Sequence, residues 1–130
     1  MAETEIEFFS EENGSCPFLE WMDRLPPKAQ DKCIVKVERL AEMGHELRRP
    51  EADYLRDKIY ELRAALQGIQ YRMLYFFYKS RGIISHGLIK TGDQVPSKEI
   101  DLAVNRKEKY EKDPLKHTFR EGESHEKGKT

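Results

Sequence analysis

The polar and apolar positions of this chain change period three times. Residues 4–9 alternate and end in two aromatics, Phe8 and Phe9, which predicts a first strand. Glu11-Glu12-Asn13-Gly14-Ser15 is turn chemistry. Ser15 is placed to cap a helix through about Leu25, with Phe18, Leu19, Met22 and Leu25 on one face and Trp21 as a packing anchor. Pro26-Pro27 ends that helix. Pro27 then suits the first turn of a second one, where its missing N–H is not needed. Cys33, Val37, Leu40 and Ala41 form the apolar stripe of this second helix, and Gly44 its C-terminal cap. Residues 45–55 are polar and interrupted by Pro50, so they read as a loop, with Arg48 and Arg49 at its flank.

Beyond the loop the period falls to two. Residues 58–64, 69–78 and 83–90 predict a three-stranded antiparallel meander, with Gly68 and Gly82 in its turns. The middle strand is apolar on both faces, as expected of a strand with neighbours on each side. Pro96 opens a third helix to about Glu111, whose inner stripe is Ile100, Ala103, Val104 and Tyr110. From residue 112 the chain is polar and reads as a disordered tail. The expectation is one α+β domain over 1–111, followed by a tail over 112–130. An N-terminal helical hairpin packs on a twisted, mainly antiparallel sheet, and a C-terminal helix follows.

Charge changes the picture more than composition does. The chain carries a net charge of −1, but the residues from Arg56 to Lys90 hold seven basic and two acidic side chains, a local +5. A near-neutral total argues against a general nucleic-acid coat and leaves a local basic face for a polyanion. The longest apolar run, residues 73–78, is too short to span a bilayer. The acidic N-terminus lacks a signal-peptide pattern, so a cytoplasmic location without membrane contact is expected. Cys16 and Cys33 lack metal-ligand spacing and read as buried thiols. There is no Gly-rich phosphate loop, no His/Cys cluster and no nucleophile elbow. No metal or other cofactor is expected.

Strand parity assembles a candidate site. If Arg63 pairs with Arg72, and Arg72 with Lys90, then Arg63, Arg72, His86 and Lys90 share one face of the sheet with Glu61. Arg72 lies between Tyr71 and Met73 in an apolar strand, where a charge is either paired or functional. A salt bridge to Glu61 is the structural alternative. His86 is suited to proton transfer, or to a hydrogen-bonded place in the core. Arg56 and Lys58 add positive charge at the start of the meander, as further phosphate-binding candidates.

Together, IYELRAALQGIQYRMLYFFY (59–78), ISHGLIK (84–90) and PSKEIDLAVNRKEKY (96–110) resemble the RelE/ParE superfamily of toxins from bacterial type II toxin–antitoxin modules. The phage-derived, HigB-like branch is the nearer resemblance, over roughly residues 4–111. The resemblance implies a small metal-independent endoribonuclease that cuts messenger RNA in the ribosomal A site. It also implies neutralisation by a helix-turn-helix antitoxin. It carries over to Arg72 in Tyr-Arg, to Arg63 in Leu-Arg, and to Lys90 after the last strand. Thr91 stands where relatives often place a second basic residue, Ile59 and Glu61 where RelE itself has lysines, and Val95 where relatives often place threonine.

The implied reaction is attack of a ribose 2′-OH on the adjacent phosphate. Arg72 and Lys90 would stabilise the phosphorane, Arg63 would position the phosphate and His86 would transfer protons. Two alternatives keep the same fold: a ParE-like inhibitor of DNA gyrase, and a non-toxic protein that only binds its antitoxin.

Overall fold

A computed structural model describes residues 3–120. The strand that is apolar on both faces, β4 (Ile69–Tyr78), is the middle of a five-stranded sheet. Numbered along the chain, the others are β1 (Glu5–Phe8), β2 (Ala52–Arg56), β3 (Ile59–Leu66) and β5 (Arg81–Lys90), in the spatial order β1-β5-β4-β3-β2. β1 runs parallel to β5, and every other neighbouring pair is antiparallel. Helices α1 (Pro17–Asp23) and α2 (Pro27–Met43) lie between β1 and β2 in the chain, and α3 (Ser97–Lys112) follows β5. The expected α+β architecture of helical hairpin, meander and C-terminal helix is the one observed.

Alternation along β4 builds two cores. Tyr71, Met73 and Tyr75 point to the face covered by α1 and α2, where they join Leu62 and Ala64 of β3 and Trp21, Cys33 and Leu40 of the helices. Leu74 and Phe76 point the other way, into a smaller core with Ile59, Ile83, and Ile100, Ala103 and Tyr110 of α3. Each fully buried large apolar side chain contributes about 1.5–3 kcal/mol relative to exposure. Tyr110 closes the α3 core with its hydroxyl donating to Glu7 Oε1 at 2.6 Å. Burial pushes its phenol up to about 12. Cys16 and Cys33 are unpaired and buried, and desolvation raises the Cys33 thiol to about 11. Among the described residues no helix is long and apolar enough to cross a membrane.

Two turns fix the register around the site. Gln67 (φ 52°) and Gly68 (φ 83°) both take the left-handed region, as a two-residue type I′ hairpin requires, and so set Leu66 opposite Ile69. Asp57 (φ 53°) and Lys58 (φ 67°) make the same kind of turn between β2 and β3. That second hairpin was hidden in the sequence. Residues 52–56, expected in a loop, are the edge strand β2, polar because it has one neighbour and a wet side. Gly82 also differs from expectation: it pairs with Phe77 inside the sheet, and the turn falls on Lys79 and Ser80.

The chain does not leave the fold at residue 112, where a tail was expected to begin. Thr118 bridges antiparallel to Phe9, and the Phe119 N–H donates to the Phe8 carbonyl at 2.9 Å. His117 is buried, stacks on Phe9 at 5.1 Å and lies with Nδ1 2.8 Å from the Ser10 carbonyl. A few apolar and hydrogen-bonding groups suffice to hold this polar segment against β1. Residues 121–130, the rest of the expected tail, lie outside the described residues.

Candidate functional site

Arg63 stands opposite Arg72, the register that sequence parity proposes. The neighbouring pair is shifted. Arg72 faces Leu88, Gln70 faces Lys90, and Leu74 rather than Phe76 faces His86. A tight turn at Lys79–Ser80 and a bulge at Ser85 account for the difference. The slip at Lys90 is two residues, an even number, so Lys90 keeps the face of Arg72. Arg63, Arg72 and Lys90 therefore line one cleft of about 700 Å³, between β2 and β3 on one side and the loop leading into α3 on the other.

The cations of this cleft are not left to repel one another. Arg49 Nη2 lies 2.8 Å from Asp53 Oδ2, and Arg63 Nη2 lies 3.3 Å from the same oxygen. Arg63 reaches on to Glu61 Oε2 at 2.9 Å, and Glu61 Oε1 lies 3.1 Å from Arg72 Nε. The five groups form a chain of alternating sign with one positive charge in excess. Its outer end, Arg49, is exposed and its inner end, Arg72, is buried. The pairing lowers the acidity range of Asp53, chiefly through the hydrogen bond from Arg49. Burial holds the Arg72 guanidinium below the usual arginine range, with Glu61 pulling the other way.

The inner pair is imperfect. Arg72 Nε and Glu61 Oε1 are sealed from solvent and close, yet neither is aligned for a hydrogen bond. Arg72 Nη1 donates to the Tyr71 carbonyl at 3.1 Å. Among the described residues Nη2 donates to nothing, and the guanidinium lines the cleft. Arg72 thus combines an anchored stem with donor capacity to spare. The bridge to Glu61 and exposure to the cleft, posed by the sequence as alternatives, occur together.

The remaining predicted residues divide. Lys90 lines the cleft, while its ammonium donates to the carbonyls of Gly92 and Asp93 at 3.0 and 3.2 Å, pinning the loop before α3. Arg56 also lines it, tied to Asp57, to Ser97 and to Asp101 at the start of α3. Lys58 is exposed on the β2–β3 turn and is not among the lining residues. Asp53, Tyr54 and Arg49 belong to the cleft but were absent from the predicted set, because they lie on or beside the edge strand taken for a loop. The signal that could have found them is the polar pair Asp57-Lys58, a two-residue turn immediately before a clear strand.

His86 is brought to the same face but not into the cleft. It lies under α3, with Nε2 2.9 Å from Glu99 Oε1 and Nδ1 2.8 Å from Ser85 Oγ. Both ring nitrogens are occupied. In the neutral ring Nε2–H donates to Glu99 and the Ser85 hydroxyl donates to Nδ1. The assignment to proton transfer is therefore replaced by a hydrogen-bonded core role. Burial lowers the His86 pKa; Glu99 opposes that shift and Arg106 adds to it. A folded pKa below the unfolded one means that the unfolded chain binds the extra proton, so stability falls as pH drops below about 6.5. We expect the urea midpoint of the wild type to fall between pH 7.5 and 5.5, and that of His86→Gln to fall less. Parallel profiles would remove His86 as the titrating group.

A model of the family described as phage derived protein Gp49-like (DUF891) matches residues 20–108, from within α1 to within α3, and includes every residue that lines the cleft. No curated protein matches the chain.

Proposed function

Starting from the chain's membership of the phage-derived Gp49-like family, a RelE/HigB-like toxin family, we propose that it is the toxin of a type II toxin–antitoxin pair. We place it in the HigB-like branch and assign it cleavage of messenger RNA on the ribosome. Its partner is then a helix-turn-helix antitoxin, and its place of action the cytoplasm.

The observation that supports cleavage most is the alternating row Arg49–Asp53–Arg63–Glu61–Arg72, which ends in a guanidinium with unused donors at the cleft. In the reaction the 2′-oxygen forms a bond to phosphorus as the bond to the 5′-oxygen breaks. The products are a 2′,3′-cyclic phosphate and a 5′-hydroxyl. Negative charge grows on the phosphorane oxygens, where fixed donors are worth most. Arg72 and Arg63 meet that charge, and Lys90 holds the adjoining loop in place.

Proton transfer is the weaker half. Among the described residues no histidine lines the cleft; of its three carboxylates, Asp53 and Glu61 are held by arginines, and Asp93, exposed on the loop before α3, forms no ion pair. The 2′-OH proton passes to one of these carboxylates or to water, and water or the Tyr54 hydroxyl protonates the leaving oxygen. This predicts a slow nuclease that relies on the ribosome to place its substrate. The same observation favours a second reading, a protein that retains the fold and binds its antitoxin without cutting RNA.

Induction of the chain alone, followed by primer extension on cellular messages, separates the readings. Discrete new 5′ ends inside coding sequences are expected. DNA breaks without such ends would mean a gyrase inhibitor, and normal growth at high expression a non-toxic member.

A further inference from the structure

A second groove, of about 790 Å³, lies beside α2 and the β3–β4 hairpin. Its walls carry Lys28, Lys32 and Lys36 at successive turns of α2, together with Arg63 and Arg72. Against these five cations it has one acid, Asp31. Among the described residues Lys28 and Lys32 form no ion pair, whereas Lys36 reaches Glu51 at 3.2 Å. Val35, half exposed on a helix whose other face is in the core, and Ala65 and Leu66 of β3 supply an apolar floor. Residues four apart on a helix stand about 6 Å apart along its axis, so the lysines form a row of evenly spaced, long-stemmed charges.

Arg63 and Arg72 line this groove as well as the cleft described above. The arginine pair is the partition between two basic depressions, so a linear polyanion lying over it runs from one into the other. We propose that the groove beside α2 is the second arm of a single-stranded RNA track. Phosphates of the strand lie along Lys28, Lys32 and Lys36, and base faces rest on Val35, Ala65 and Leu66. The inference rests on the ribonuclease reading and extends it to RNA well beyond the scissile phosphate. Continuity through the two arginines favours RNA over an acidic protein segment, because one polymer then fills both depressions. The contacts are to phosphate and so are independent of sequence.

The test is fluorescence anisotropy of the full chain with a single-stranded dodecanucleotide and with a tetranucleotide, for the wild type and for Lys28→Ala/Lys32→Ala. Both lysines are exposed, so the fold tolerates their loss. We expect the affinity advantage of the longer RNA to shrink about tenfold or more at ~0.1 M salt, because two phosphate contacts are lost. The slope of log affinity against log salt should become shallower by about 1.4 for the longer RNA. An unchanged advantage and slope, with RNA still bound and new 5′ ends still seen on induction, would overturn the second arm alone. Loss of poly-glutamate binding on substitution, with the RNA advantage intact, would overturn it in favour of an acidic protein segment. Failure of the wild type to bind either RNA would overturn the track, whereas absence of new 5′ ends on induction would overturn the ribonuclease reading beneath it.

Discussion

Arg72→Ala is expected to abolish growth arrest and to lower stability by roughly 3 kcal/mol, the usual cost of breaking a buried ion pair. The two effects have different origins. Toxicity is lost because the guanidinium facing the cleft goes, and one such preorganised donor is worth about 10²–10³ in rate. Stability is lost because Glu61, itself only 4% exposed, keeps Arg63 as its single remaining partner. A second substitution separates them. Arg72→Met with Glu61→Gln removes both buried charges while preserving side-chain volume, so it should recover much of the stability and none of the toxicity. Urea unfolding and growth curves read the two quantities. A double variant that is well folded and toxic would show that Arg72 is structural and that the cleft works without it.

The second large effect lies on the opposite face of the sheet, where Gly87 pairs with Met73. A Cβ added at Gly87 would clash with Cε3, Cδ2 and Cζ3 of the Trp21 six-membered ring, which packs directly on the β5 backbone. Trp21 is 6% exposed and joins α1 to the larger core. Gly87→Ala is therefore expected to cost about 3 kcal/mol, at the upper end for overpacking, because the obstacle is a rigid ring. Trp21 is the sole tryptophan of the chain, so its emission reports this contact without interference. The spectrum should shift to the red as the ring is displaced toward water. Trp21→Leu in the Gly87→Ala background should cost less than the sum of the two single changes. Additive costs and an unmoved spectrum would refute the packing argument.

Legibility in the sequence followed physical cause. The helices α2 and α3 were visible because proline, glycine and a 3.6-residue stripe mark their ends and inner faces. β4 was visible because a central strand has no wet side. The Arg63–Arg72 pairing could be read because Gln67-Gly68 leaves little choice of turn. What could not be read depended on neighbours. β2 has the composition of a loop and becomes a strand by pairing with β3. The bulge at Ser85 answers to the packing of His86 under α3, and no local pattern announces it. Arg49 and Asp53 entered the site with β2, so the charge balance of the cleft was overestimated. The cationic face read from the sequence is largely neutralised from within, down to a single excess charge along the row. Residues 113–119 were misjudged for a similar reason, since His117 and Thr118 are polar types held by β1.

The parallel pairing of β1 with β5 has a consequence for how the molecule is made. Glu5 pairs with Arg81, and Phe9 is bridged by Thr118, so the first strand meets its partners only when most of the chain exists. At a synthesis rate of about 5–20 residues per second, β1 waits roughly 4–15 s for β5 to be translated. During that interval the nascent chain can form the hairpin of α1 and α2 but cannot close either core. The arginine row, drawn from β2, β3, β4 and the segment before them, is assembled late as well. Such a chain has no finished site until β2, β3 and β4 have all been made and paired.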